Sequence, residues 1–133
     1  YKKIFELLKD KNYFIITTNV DDQFYRAGFD KDKVFDVQGS YSKIQCSKAC
    51  HNKLYDVTDT VLEMINNTDE SLKIPTRLVP ICPVCGENMD VNLRKDVNFV
   101  QDDNWYKKDM YYNNFLDIAE SKKTVLLELG VRF

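Results

Sequence analysis

Apolar positions fall in short runs between polar stretches, and the spacing inside each run indicates the element it forms. In KKIFELLK, Ile4, Phe5, Leu7 and Leu8 share one helical side, which predicts the end of an amphipathic helix. YFIITT, residues 13–18, is continuous and rich in β-branched side chains, the pattern of a strand buried on both faces of a parallel sheet. KVFDV, residues 33–37, and the run over residues 124–129 in KTVLLELG read as two more such strands. Residues 55–66 space Val57, Val61, Leu62 and Ile65 helically, and residues 103–121 do so with Trp105, Tyr112, Phe115, Leu116 and Ala119. Strands alternating with helices predict an α/β fold with a partial parallel sheet.

Residues 41–101 break this pattern. They hold all four cysteines and all three prolines and show little long periodicity, so they read as a small module inserted between two α/β parts. The chain opens on Tyr1 and stops at Phe133 just after an apolar run, so both ends read as cut.

Composition narrows the classes. A hydrophobic content of 44% with 30% charged residues is that of a globular domain, not of a disordered chain. Nineteen basic and twenty-one acidic residues are interleaved, with no basic block to neutralise a row of phosphates, so no nucleic-acid partner is expected. No apolar run approaches the roughly 20 residues that span a bilayer, and no membrane partner is expected. The chain reads as soluble and cytoplasmic.

Cys46 and Cys50 enclose three residues, Cys82 and Cys85 enclose two, and thirty-one lie between the pairs. Two such knuckles can set four thiolates around a tetrahedral ion, which points to structural Zn2+. Buried free thiols are the plainer alternative, and disulfides are not expected in a reducing compartment. His51, the one histidine, could stand in for Cys50, but a surface role is the simpler reading. A closed four-thiolate site leaves no open coordination position, so the metal would hold the fold.

Ligands of open α/β sheets collect at the carboxyl ends of strands. Thr18, Asn19 and Asp21 follow the first strand, Gln38 follows KVFDV, and Gly130 follows the last predicted strand. Three strand ends are thus expected to meet at one crevice. Asn19 and Asp21 are equally suited to capping a short helix in DDQFYRAGF that Gly28 would close.

The order TTNVD, AGF, VQGS, paired cysteines, NLRKDVNF and LELGV resembles that of the sirtuin family across nearly the whole chain. The family's counterparts are an Asn-Ile-Asp turn, a His-Gly-Ser, a zinc module, a substrate-lining strand and a Gly-Thr-Ser turn. The resemblance implies an incomplete Rossmann-like NAD-binding part over residues 1–40 and 102–133, and a small zinc-binding module over residues 41–101. It implies that Asn19 positions the nicotinamide ribose, Asp21 holds the carboxamide, Thr18 and Gln38 border the cofactor, and Gly130 and Val131 line its adenosine side. Arg94, Asp96, Val97 and Phe99 match the substrate-lining strand, with Val100 and Gln101 where the family has Gly-Glu.

The departures are informative. Thr18 stands where Gln is common, Arg132 where a small residue is common, and no stretch forms a glycine-rich pyrophosphate loop, so this piece is expected to bind NAD weakly or not at all. Gln38 takes the place of the histidine that serves deacylating sirtuins as general base. An amide does not titrate near neutrality, and loss of a positioned base costs about 10²- to 10⁴-fold in a step that needs it. Transfer of ADP-ribose to an ionised carboxylate needs no such base. The combination of TTNVD, QGSY and CSKACH is most similar to macrodomain-linked bacterial sirtuins, which implies mono-ADP-ribosylation of a lipoylated glycine-cleavage-H-like carrier protein, with a macrodomain hydrolase removing the mark. The alternatives are a sirtuin-type lysine deacylase or NAD hydrolase, and a non-catalytic zinc-stabilised binding module.

Overall fold

Strand β1 (Ile15–Thr17) and strand β2 (Val34–Asp36) pair in parallel in the computed structural model, which describes residues 1–130. Ile15 faces Val34, Ile16 faces Phe35 and Thr17 faces Asp36. Both strands arise from the continuous apolar runs that predicted them, shortened to the residues that pair. Parallel strands need a crossover, and here the chain returns through α2 (Gln23–Arg26). The amphipathic helix α1 (Lys2–Leu8) lays Ile4, Phe5 and Leu8 on a core of Tyr13, Phe29 and Val34. Phe29 holds this core together by edge-to-face contacts with Phe5, Tyr13 and Phe24 at centroid separations of 5.1, 5.5 and 5.4 Å.

The middle of the chain forms a second, antiparallel sheet that the sequence pattern did not announce. Strand β3 (Gly39–Cys46) lies between β4 (Tyr55–Asp56) and β5 (Met89–Leu93). Gly39 and Ser40, which follow Gln38 directly, open β3. A φ of +90° at Gly39 makes the bend, and a Cβ there would lie 1.9 Å from the Asn92 carbonyl oxygen, so only glycine fits. Helix α3 (Thr58–Asn66) occupies the predicted segment, but its apolar face is not buried. Val57, just before it, is 4% exposed, whereas Leu62 and Ile65 are 54% and 62% exposed.

Helix α4 (Asp103–Glu120) begins where the Asp102 carboxylate accepts the Trp105 amide at 2.9 Å, and no glycine or proline interrupts it. It packs on the first sheet through Trp105 against Phe35 and through Tyr112 and Phe115 against Phe14. The predicted strand over residues 124–129 does not form. Val125 and Leu126 are 86% and 89% exposed, and the run has no ladder partner among the described residues. A parallel strand is held by neighbours on either side and by burial of both faces, and this run has neither. The substrate-lining strand also stops short: β5 ends at Leu93, and residues 94–99 form a loop with Val97 almost wholly exposed. The α/β class, the parallel pair and the meeting of the four cysteines are as expected.

Candidate functional site

The pairing of Thr17 with Asp36 sets the carboxyl ends of β1 and β2 side by side, so the residues that follow share one edge of the sheet. The Val37 amide donates to the Thr17 carbonyl at 3.2 Å and the Tyr41 amide to the Val20 carbonyl at 3.0 Å, which binds the two departing loops together. After β1, the Thr17 hydroxyl accepts the Asn19 amide at 3.0 Å, and the Asn19 side-chain amide donates to the Tyr1 hydroxyl at 2.8 Å. Asp21 accepts the Gln23 amide at 3.1 Å in an Asx turn ahead of α2, whose N-cap is Asp22 without a side-chain capping bond, so neither Asn19 nor Asp21 caps the helix. Asp22, at a left-handed φ of 56°, accepts the Ser40 hydroxyl at 2.8 Å and thereby ties α2 to β3.

Asn19 and Asp21 line a small crevice together with Thr17, Asp22, Tyr25 and Asp36. Gln38 lines a different groove, of about 390 Å³, with Phe35, Arg94, Trp105, Asp109 and Tyr112. The single crevice expected from sequence is therefore two separate ones that share no lining residue: Thr17, Val34 and Asp36 line the first and Ile16, Phe35 and Val37 the second, alternate positions of β1 and β2 that point to opposite faces of the sheet. Thr18 is exposed and lines neither, while its neighbour Thr17 lines the first. Gly130 is exposed with nothing within 4 Å of a Cβ built on it, so the third strand end does not join the edge. Val131 and Arg132 lie outside the described residues.

Three features of the edge come from its tertiary contacts. Lys108 of α4 is buried and donates to Asp36 at 2.7 Å and to the Tyr25 hydroxyl at 2.6 Å, locking α4, β2 and α2 behind the crevice. Burial, followed by the Asp36 charge, pushes the Tyr25 phenol well above its usual range and keeps it protonated. The second feature is a buried amide pair. Gln45 of β3 accepts from the Asn92 side chain at 2.7 Å and from the Val100 amide at 2.9 Å, and donates to the Asn98 carbonyl at 2.7 Å. This pins the 94–100 loop. The third feature is the groove's cation, for the Arg94 guanidinium lies 4.8 Å from the Phe99 ring centre and its amide donates to the Gln38 carbonyl at 3.0 Å. Lysine at i, i+3 from Trp105 on a helix is the one cue that sequence offered for Lys108, and nothing local distinguishes it from a solvated lysine.

At the opposite end of β3, the sulfurs of Cys46, Cys50, Cys82 and Cys85 all lie within 4.8 Å of one another. Cys46 and Cys85 approach to 3.5 Å and Cys50 and Cys82 to 3.6 Å. Zn–S bonds of about 2.3 Å in a tetrahedron require sulfurs about 3.8 Å apart, so the four residues fit Zn2+. Two tight turns produce the arrangement, with Ala49 at φ 47° and Gly86 at φ 75° in left-handed conformations. The first turn aims the Cys50 and Lys48 amides at Cys46 and draws its thiol down to about 6. Burial, and then the neighbouring thiols, push the Cys50 thiol up. With all four ligands supplied by protein, the ion would brace β3 against the 82–85 knuckle and perform no reaction.

The Sir2 family profile matches residues 2–123. The chain is 37% identical over 134 residues to "Protein ADP-ribosyltransferase" of Staphylococcus aureus, covering 100% of this chain and 42% of that protein. It is 25% identical over 123 residues to "Probable bifunctional ADP-ribose hydrolase/ADP-ribosyltransferase" of Fusarium oxysporum f. sp. cubense, covering 89% of this chain and 20% of that protein. The chain thus spans less than half the length of these curated relatives. Among solved structures, "Sir2 bound to acetylated peptide" matches with a TM-score of 0.43 and 24% identity over 68% of this chain and 32% of that one.

Proposed function

The chain belongs to the Sir2 family, and from that premise we propose that the whole protein is an NAD-dependent mono-ADP-ribosyltransferase acting on a lipoylated glycine-cleavage-H-like carrier protein. The observation that carries this reading is Gln38, an amide just past the carboxyl end of β2, at the same end of the parallel pair from which Asn19 and Asp21 follow β1. The curated name of the Staphylococcus aureus relative supports the transferase class.

In the proposed reaction NAD is a substrate. The bond between nicotinamide nitrogen and ribose C1′ breaks, and nicotinamide leaves with the electron pair while positive charge develops on the ribose. An ionised acceptor carboxylate then forms the new C–O bond to C1′, and no proton has to be removed. Asn19 and Asp21 hold the ribose and the carboxamide, and the nearby Asp22 carboxylate favours the developing charge. Gln38 orients ribose hydroxyls through its amide, whose carbonyl end accepts and whose NH₂ donates. The groove beside it, with Arg94 and the aromatic faces of Trp105 and Tyr112, receives the protein substrate. Residues outside this chain supply the pyrophosphate cradle. A macrodomain hydrolase is the proposed reversing enzyme, and the Fusarium relative, whose name joins an ADP-ribose hydrolase to a transferase, supports the pairing of transfer with removal. The cytoplasm, where thiols stay reduced, suits the cysteine cluster.

Intact-mass spectrometry of the whole protein with NAD, offered a lipoylated carrier protein and an acetylated peptide in turn, tests this. An ADP-ribose increment on the carrier that disappears in Asn19→Ala is expected. Acetyl loss from the peptide without that increment overturns the reading in favour of a deacylase, nicotinamide release with neither product favours an NAD hydrolase, and unconsumed NAD favours a binding module.

A further inference from the structure

His51 follows Cys50 directly, and its ring stands against the thiolate cluster. Nδ1 lies 3.1 Å from the Cys50 sulfur and 3.9 Å from that of Cys82, while Nε2 lies 2.9 Å from the Tyr55 hydroxyl. With four sulfurs already within reach of one ion, the imidazole is surplus as a ligand. A metal-bound thiolate has no proton and can only accept a hydrogen bond, so Nδ1 must carry the proton that points at it. In the neutral ring Nε2 is then bare and accepts from the Tyr55 hydroxyl. Tyr55 thereby fixes both the tautomer and the orientation of the ring.

We propose that His51, set by Tyr55, is an outer-sphere hydrogen-bond donor that stabilises metal binding at the four-cysteine site by shielding the Cys50 and Cys82 thiolates. The inference rests on the cysteine cluster and is independent of the transfer reaction. The chemistry supplies the need: four thiolates outweigh the charge of a divalent ion and leave the site anionic, and Cys50 is one of the two exposed ligands. An N–H donor withdraws charge from sulfur and makes it a poorer target for protons and electrophiles. Tyr55 suits its part because β4 is already paired to β3, with Tyr55 opposite Ile44 and Cys46 two residues further along. Lys53, whose ammonium lies 5.2 Å from the Tyr55 ring centre, polarises the phenol toward donation. Cys50, His51 and Tyr55 thus form a relay from ligand to sheet, the outer shell that metal sites require for stability.

The test loads the protein with Co(II) and compares wild type with His51→Ala, His51→Gln and Tyr55→Phe. For His51→Ala the proposal expects sulfur-to-cobalt charge-transfer bands displaced to lower energy, because an unshielded thiolate gives up electrons more readily. It also expects zinc affinity, measured by competition with a chromophoric chelator, to fall about 10- to 100-fold. Tyr55→Phe, which keeps the ring, should move both readouts the same way by less. His51→Gln, whose amide can donate to sulfur, should recover part of the loss. Unchanged band energy and affinity in His51→Ala overturn the proposal. So does a wild-type spectrum with three thiolates and one imidazole that changes ligand set in His51→Ala, since the ring would then be a ligand. If His51→Ala fails to fold, wild-type values in both Tyr55→Phe and His51→Gln overturn it.

Discussion

At the scale of single residues, the sheet edge depends on groups that tolerate little change. Gly39 is the sharpest case, since its positive φ and the Asn92 carbonyl leave no room for a methyl group. Gly39→Ala should destabilise the protein by at least about 2 kcal/mol, measured by denaturant unfolding, and should displace Gln38, its neighbour in sequence. Unaltered stability would mean that β3 and β5 can part at little cost. The glycine itself is visible in the sequence. Its real task, a close crossing of two strands, depends on Asn92, fifty-three positions away. Asn19, Asp21 and Gln38 were legible because polar residues directly after apolar β-branched runs fall at strand ends. Thr17 rather than Thr18 lines the crevice because a strand alternates its faces, and the ladder register decides which residue faces in.

At the scale of elements, two junctions carry measurable consequences. Lys108 joins α4 to β2 and α2, and its side chain and that of Asp36 are 11% and 20% exposed. Lys108→Met would leave Asp36 and Tyr25 without their donor inside the protein. A loss of about 3–5 kcal/mol is expected on unfolding by urea, and a double variant with Asp36→Asn should recover part of it. The second junction lies between β4 and α3. Asp56 accepts from Lys43 at 2.8 Å and from the Thr58 amide at 2.9 Å, and these bonds, the lysine's first, hold its carboxyl well below the usual carboxylate range. A carboxyl depressed in the folded chain stabilises fully above its unfolded value of about 4 and loses that contribution as pH falls through the folded value. Stability should therefore decline on acidification below about pH 4, and Asp56→Asn should flatten part of that decline. The pair is exposed, so the loss at neutral pH is expected to be about 0.5–1 kcal/mol. An acid limb of the melting-temperature profile identical in wild type and variant would refute the assignment. Helix α3 also marks the limit of periodicity as a guide. Its spacing located the helix correctly, yet Leu62 and Ile65 face outward, because periodicity identifies a face without naming what covers it.

At the scale of the whole molecule, β3 is the connection between chemistry and metal. One end begins beside Gln38 and the other carries Cys46, so an ion held at the knuckles steadies the strand from which the site is built. Removing metal with a chelator at neutral pH should lower the melting temperature and erase near-ultraviolet circular dichroism from the Tyr55 region, and added Zn2+ should restore both. Structural zinc contributes directly to folding free energy, and a melting temperature indifferent to chelation would contradict a bracing role. The sequence by itself determined the elements whose cause is local: the apolar runs of β1 and β2, the periodic helices, the two cysteine knuckles and the order of motifs along the chain. Tertiary structure alone decided what depends on distant partners. It left residues 124–129 unpaired despite a strand-like pattern, ended β5 before Arg94, split the expected crevice in two, and buried a lysine that reads locally as solvated. Periodicity and spacing are properties of neighbouring residues. Pairing, burial and charge compensation belong to residues that meet only once the chain is folded.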